Sequence, residues 1–240
     1  MSDIKPFYKD IPFDAEFFVK AAQRVIDWNM KARNTTEEAF KKTITLGDIQ
    51  LQTKLVLEEL KEYRDAYAES DFVEMADAAA DTFVVTSFLS YLYFGGDATK
   101  AFNINRPADY LAEDPYESFL RSHEMVGDEM GLGFLASKFM LMSRDSLIRS
   151  RFNEKKILTE VLNSNDSKFP KRKQLLDFHN TKNIEDALQA EVKWIEENRG
   201  HTGITYTYNT EYKVYTFFNE NGKIMKPSSF VEPDLSKYVK

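Results

Sequence analysis

Cysteine is absent from this chain of 240 residues. That excludes disulfides, a thiol nucleophile and a thiolate metal site, and it makes the cytoplasm the expected compartment. Histidine is scarce: His123, His179 and His201 are dispersed, and none falls in the acidic segments described below. A four-helix di-iron centre, which needs Glu-x-x-His motifs on paired helices, is thereby excluded. Positive charge is in deficit, with 32 Lys and Arg against 39 Asp and Glu for a net −7. No general surface for a nucleic-acid polymer is expected, and an anionic ligand would arrive with its metal ions. The opening MSDIKPFYKDIPF has neither a basic start nor an apolar run, so no secretory signal is expected. Met75 to Phe94 is long enough to span a bilayer, yet Asp77 and Asp81 lie inside it. Each would cost at least about 2.5 kcal/mol there, so no membrane partner is expected. Repeats, low-complexity tracts and long linkers are missing as well.

What remains is ordinary globular composition, 42% hydrophobic and 14% aromatic, enough for one domain over residues 1–240. Asp14 is placed to cap a helix running to about Ala32, with Phe18, Ala21, Ala22, Val25 and Trp28 or Asn29 along one side, the side expected to pack on the acidic helices. Thr35-Thr36-Glu37-Glu38 resembles a capping box before a short helix, and Gly47-Asp48 precedes a long one. A turn at Glu69-Ser70-Asp71 leads into a second long helix that ends at Gly95-Gly96-Asp97. So short a connection makes the two long helices antiparallel neighbours.

Core helices therefore occupy 14–96 and 152–198, around a helical insertion at about 97–150 with stretches near Asp114 to His123 and Gly133 to Arg149. In that insertion Phe134, Phe139, Met140 and Met142 read as core or as a subunit contact. Phe152 to Leu162 reads as a helix, Asn163 to Pro170 as a polar loop, and Ile184 to Asn198 as a helix closed by Arg199-Gly200. From about 201 to 240 the pattern turns to β-formers, Thr205 to Tyr208 and Tyr212 to Phe218, with Asn221-Gly222 as a tight turn into Lys223-Ile224-Met225. The expected fold is all-α, an antiparallel helical bundle carrying a small C-terminal β-hairpin or three-stranded ribbon.

The chemistry is expected on the two long helices. LQTKLVLEELKEYRDAYAE carries Glu58, Glu59 and Glu62, and DFVEMADAAADTFVVTSFLSYLYF carries Glu74, Asp77 and Asp81. At helical spacing Leu55, Glu59, Glu62 and Ala66 form one stripe, and Val73, Asp77, Ala80, Asp81, Val84 and Phe88 form another. Acids in an inward stripe need cations nearby, because an unpaired buried carboxylate costs several kcal/mol. No Lys or Arg occurs between Glu74 and Phe94. Oxygen-only ligands point to Mg²⁺ or Mn²⁺ rather than to zinc.

Glu59-Leu60-Lys61-Glu62 and Glu74-Met75-Ala76-Asp77 together make an ExxE…ExxD pattern. In this the chain resembles the MazG-like all-α nucleoside triphosphate pyrophosphohydrolases. EMADAAADTFVV is similar to the ADALADLLYVV run of the phage-type, phosphoribosyl-ATP pyrophosphohydrolase-like branch. EVLNSNDSKFP, from Glu160 to Pro170, resembles its EVHRSNMSK segment, and NGKIMKPSSFVEPDL, from Asn221 to Leu235, resembles its DGKVxKPxxYxPPDL ending. The likeness covers residues near 20–96 and 155–238. It implies a hydrolase that cleaves a nucleoside triphosphate, a dNTP or a related nucleotide, at the α-phosphorus into monophosphate and pyrophosphate. It also implies a homo-oligomer, dimer or tetramer, and the host cytoplasm if the chain is phage-encoded.

On that resemblance Glu59, Glu62, Asp77 and Asp81 would hold the metal. Glu74 is either a fifth ligand or a helix cap, since Asp71-Phe72-Val73-Glu74 also reads as a capping arrangement. Glu58 is either a solvated neighbour or the general base that takes a proton from the attacking water. Lys168, Lys223 and Lys226 are candidates for phosphate contacts, with Asn165 and Ser167 as hydrogen-bond donors. Trp28 and Asn29 are candidates for nucleobase contacts, against core packing for Trp28. The alternative to an enzyme is a non-catalytic helical nucleotide-binding or assembly protein with a structural divalent ion.

Overall fold

The computed structural model describes residues 14–102 and 152–239. Within them the chain is mostly helical, with one small antiparallel hairpin. The helical stretches expected near Asp114 to His123 and Gly133 to Arg149, and the residues Phe134, Phe139, Met140 and Met142, lie outside the described residues. The chain divides into two compact units. The first takes the described parts of 1–26, 41–161 and 234–240, and the second takes 27–40 and 162–233.

Caps set most helix boundaries. Helix α1 spans Ala15–Ala32, and the Asp14 carboxylate accepts from the Phe17 N–H at 3.0 Å, the expected cap. Helix α2, Glu37–Lys41, starts one residue later than a box on Thr35 would put it. Thr36 is the cap, accepting from Ala39 N–H at 3.2 Å, and an alanine at that third position cannot return the bond. Helix α3 spans Leu46–Glu69 and opens on a full capping box that the sequence reading missed. Thr45 Oγ1 accepts from Asp48 N–H at 3.2 Å while Asp48 Oδ2 accepts from Thr45 N–H at 2.9 Å, so Gly47 lies inside the first turn.

Ser70 ends α3 in the left-handed region, φ 59°, and Asp71 caps α4, Phe72–Tyr93, by accepting from the Val73 and Glu74 N–H groups. Gly95 and Gly96, φ 61° and 81°, close α4. A short α5, Ala98–Ala101, follows under an Asp97 cap.

In the first unit α3 and α4 pack as the expected antiparallel pair. Val56 and Leu60 meet Val85 and Leu89, and the buried Gln52 amide donates to Val85 O at 3.0 Å. Helix α4 is apolar almost all round, so it is buried on nearly every side. Its polar residues are absorbed locally: Thr82, Thr86 and Ser87 each donate to a backbone carbonyl one turn back. Phe18 of α1 tilts against Phe83 with centroids 5.8 Å apart, so α1 does pack on an acidic helix. Among the described residues no helix is long and apolar enough to cross a membrane.

The second unit holds the later elements. Helix α6, Glu154–Asp166, has its C-terminal turn here and takes in Asn163 to Asp166, which the sequence reading assigned to a loop. Arg172–Phe178 forms α7, which went unanticipated, and Ile184–Arg199 forms α8, closed by Gly200 at φ 67°. Strands β1, Thr205–Asn209, and β2, Val214–Phe218, pair antiparallel with Thr207 opposite Thr216. The hairpin rather than the three-stranded ribbon is formed, with a single bridge between Phe218 and Ile224 in place of a third strand. Tyr215, Phe217 and Met225 close a core with Leu175, Ala187, Leu188 and Ile195 from α7 and α8.

Candidate metal centre

The acids lie on the α3–α4 pair, but on a seam rather than in the core. Helix α3 turns Gln52, Val56 and Leu60 inward, one position round from the expected stripe. Leu55 and Glu59 are therefore half-buried, Ala66 is buried, and Glu62 is exposed, a correction to the inward stripe. On α4 the positions between Met75 and Leu92 that escape full burial are Asp77, Asp81 and Val84, at spacings of four and three. They form one line along the helix. Val73, which the sequence put on the inward face, is exposed.

Across this seam the carboxylates act on one another. Burial, and then the charges of Asp81, Glu62, Asp77 and Glu58, push Glu59 up to about 8 from an ordinary 4.5. Desolvation and like charge both disfavour the ionised form, so the folded chain holds a proton on Glu59 in neutral solution unless a cation replaces it. Glu74 stands apart in the first turn of α4, exposed, with its backbone N–H bound by Asp71 at 3.0 Å. Glu58 is exposed beside Glu59.

Among the described residues no three Asp, Glu or His side chains converge into a coordination shell. The acids are neighbours rather than a formed cage. Their donor chemistry nevertheless fits a hard divalent cation: all ligating atoms are oxygen, and the ion's charge offsets the repulsion and desolvation that keep Glu59 protonated.

The remaining candidates stand in the second unit. Trp28 is half-buried, packs edge-on against Phe169 at 5.4 Å, and donates its indole N–H to Asn165 O at 3.1 Å. Asn29 is buried and accepts from Arg33 at 2.7 Å. The Ser167 hydroxyl donates to Ser164 O at 2.6 Å and accepts from Val231 N–H at 2.9 Å, so its proton is already engaged within the fold. Asn165 Oδ1 accepts from Lys168 Nζ at 2.8 Å. Lys223 is exposed at the tight turn, its backbone N–H bound to Asn219 Oδ1. Lys226 pairs with Glu232 at 3.0 Å and lies 4.5 Å from the centroid of Phe230.

One constellation escaped the sequence reading. Glu191 of α8 is fully buried and accepts from Ser228 N–H at 2.6 Å, from Ser228 Oγ–H at 2.5 Å, and from His179 Nε2 at 2.7 Å. Its helical spacing marks it only as one more acid on an amphipathic helix, and its partners come from distant segments. Comparison with protein-family models, curated proteins and solved structures finds no match for the chain.

Proposed function

We propose that this protein is a metal-dependent nucleotide pyrophosphohydrolase of the MazG-like all-α type, cleaving a nucleoside triphosphate, a dNTP or a related nucleotide, at the α-phosphorus. The observation that carries the reading is the crowding of Glu58, Glu62, Asp77 and Asp81 on Glu59 across the α3–α4 seam. The ExxE and ExxD spacing and the two tail segments supply the choice of substrate class.

In this reading Glu59, Glu62, Asp77 and Asp81 would hold Mg²⁺ or Mn²⁺, while Glu74, exposed in the first turn of α4, would be a fifth ligand only by reaching in from outside the seam. When bound, such an ion would supply charge that offsets the phosphates and would lower the pKa of a water. Glu59, whose carboxyl burial and its acidic neighbours push up to about 8, would have to release its proton to serve as a ligand. Glu58, exposed beside the seam, accepts the proton of the attacking water. Water becomes bonded to the α-phosphorus, the α–β anhydride bond breaks, and pyrophosphate leaves. On the family resemblance a homo-oligomer, dimer or tetramer, is part of this reading. Light scattering reads that state directly, and a monomer would contradict it.

The test is a panel of nucleoside triphosphates, modified bases included, incubated with the protein and Mg²⁺ and assayed for monophosphate and pyrophosphate. Turnover supports the reading. No turnover across the panel favours the non-catalytic nucleotide binder.

A further inference from the structure

Helix α3 has two faces that it could turn to α4. Leu51, Leu55, Glu59, Glu62 and Ala66 follow one another at spacings of four and three along the first, and Gln52, Val56 and Leu60 at spacings of four along the second. Helix α4 is apolar almost all round and accepts either on hydrophobic grounds. Its hydroxyls do not discriminate, because Thr82, Thr86 and Ser87 donate to carbonyls of their own helix. Yet it is Gln52, Val56 and Leu60 that are buried, with Glu62 left exposed.

Gln52 is the polar member of the buried face. It is 7% exposed, and its Nε2 donates to Val85 O at 3.0 Å where the helices otherwise meet through Val56, Leu60, Val85 and Leu89. A buried amide left without a partner costs about 1–3 kcal/mol. Turning α3 to its other face carries Gln52 away from Val85 and forfeits the bond. Val85 O does not need Gln52, since a carbonyl in a helix interior is met by the N–H four residues on and accepts a second donor on its other lone pair. The bond therefore discriminates between faces rather than satisfying α4, the best-attested role of a single buried amide in paired helices. Desolvation and repulsion also keep Glu59 and Glu62 from turning inward, but a bound cation lowers that penalty. A neutral hydrogen bond acts with or without the cation.

We infer that Gln52 is a positioning residue for the α3–α4 seam: its bond to Val85 O sets the rotation of α3 about its own axis, and so which acids line the seam. The inference rests on the proposed function only for what those acids do.

The chain has no cysteine, so a single introduced thiol reports its own burial. Thr53, 7% exposed, and Leu51, 55% exposed, flank Gln52, and a turn of α3 to its other face would bring Leu51 in and Thr53 out. Thr53→Cys and Leu51→Cys are each labelled with a maleimide in the full chain, with Gln52 intact and in a Gln52→Met background, which keeps the length of the side chain and removes the donor. In Gln52→Met the thiol of Thr53→Cys is expected to react about tenfold faster, and that of Leu51→Cys up to about twofold slower, the shift that one lost hydrogen bond allows. The far-UV circular dichroism spectrum and the urea midpoint should be unchanged, which a merely structural role would not predict. Gln52→Leu is expected to behave in the same way. An unchanged rate for Thr53→Cys in both backgrounds overturns the inference, and so do faster rates at both positions with a lowered urea midpoint, which mean loosening rather than rotation. The Mg²⁺ concentration that gives half the maximal rise in melting temperature is expected to increase about tenfold in Gln52→Met. An unchanged value overturns the link between the rotation and the acids. If the thiols respond as expected but neither Mg²⁺ binding nor turnover is found, the proposed function fails and the positioning role of Gln52 stands. If turnover is found and the thiols do not respond, only this inference fails.

Discussion

Glu59 and Glu191 are both acids removed from water, and the chain treats them in opposite ways. Glu191 is fully buried, yet its oxygens are met by two donors from Ser228 and by His179. Glu59 is only half-buried, yet burial and four neighbouring carboxylates push it up to about 8. Depth of burial is therefore a poor guide to how far an acid is perturbed. What separates the two is who supplies the compensating charge or donors: the fold supplies them to Glu191, while the surroundings of Glu59 add repulsion that the proposed cation would relieve.

The largest effect that would break this contrast is on turnover. Glu59→Gln and Asp77→Asn are each expected to lower kcat/KM by at least about a hundredfold while the far-UV circular dichroism spectrum is unchanged. A variant with near-parental activity would remove that residue from the proposed centre. Glu191→Ala should act the other way, on stability. It strands the Ser228 donors and His179, and a loss of about 2–4 kcal/mol in urea unfolding is expected. A loss as small as that of a surface substitution would show that the Glu191 network is not what fixes its segment.

A subtler distinction is pH. Between 4.5 and about 8 the folded chain keeps a proton on Glu59 that the unfolded chain has lost. The contribution of that group is fully present below 4.5 and is lost as pH rises through about 8, so metal-free stability declines across the window. Glu59→Gln should flatten the decline, and Mg²⁺ should raise the melting temperature more at pH 8 than at pH 5. A steeper decline in the glutamine variant would contradict the repulsion described here. The smallest expected effect lies at the turn between the paired helices, where Ser70 sits at φ 59°. Ser70→Gly should stabilise the protein by about 1 kcal/mol or less, read from the denaturation midpoint.

Much of the helical frame was legible because its signals are local. Asp14 caps α1, Asp71 caps α4, and Gly95 and Gly96 end it, each within a few residues of the groups it satisfies. The short connection at Glu69 to Asp71 dictated an antiparallel pair, which set Glu59 opposite Asp77 and Asp81. The misses have physical causes. Thr45 and Asp48 were overlooked as a box because glycine and leucine separate them and Gly47 suggested a loop. Asn163 to Asp166 are poor helix formers, yet they prolong α6, where the Asn165 carbonyl accepts from Trp28 and the Asp166 carboxylate from Lys31. Of the two expected forms, hairpin or three-stranded ribbon, the hairpin is the one formed: at Ile224 pairing stops after one bridge as the chain turns to deliver Ser228 to Glu191.

By itself the sequence determined that two acidic helices are neighbours, that the side-chain donors they offer are carboxylate oxygens, and that a β-hairpin follows the last long helix. These follow from spacing, composition and turn length, which are properties of short segments. Only the tertiary structure decided that α3 turns Gln52, Val56 and Leu60 inward and leaves Glu62 exposed, because adjacent stripes of one helix differ by a small rotation and α4 is apolar enough to accept either. It alone decided that Glu191 is satisfied where Glu59 is repelled. Contacts between segments so distant in sequence depend on how the elements pack, and no periodicity along the chain encodes them.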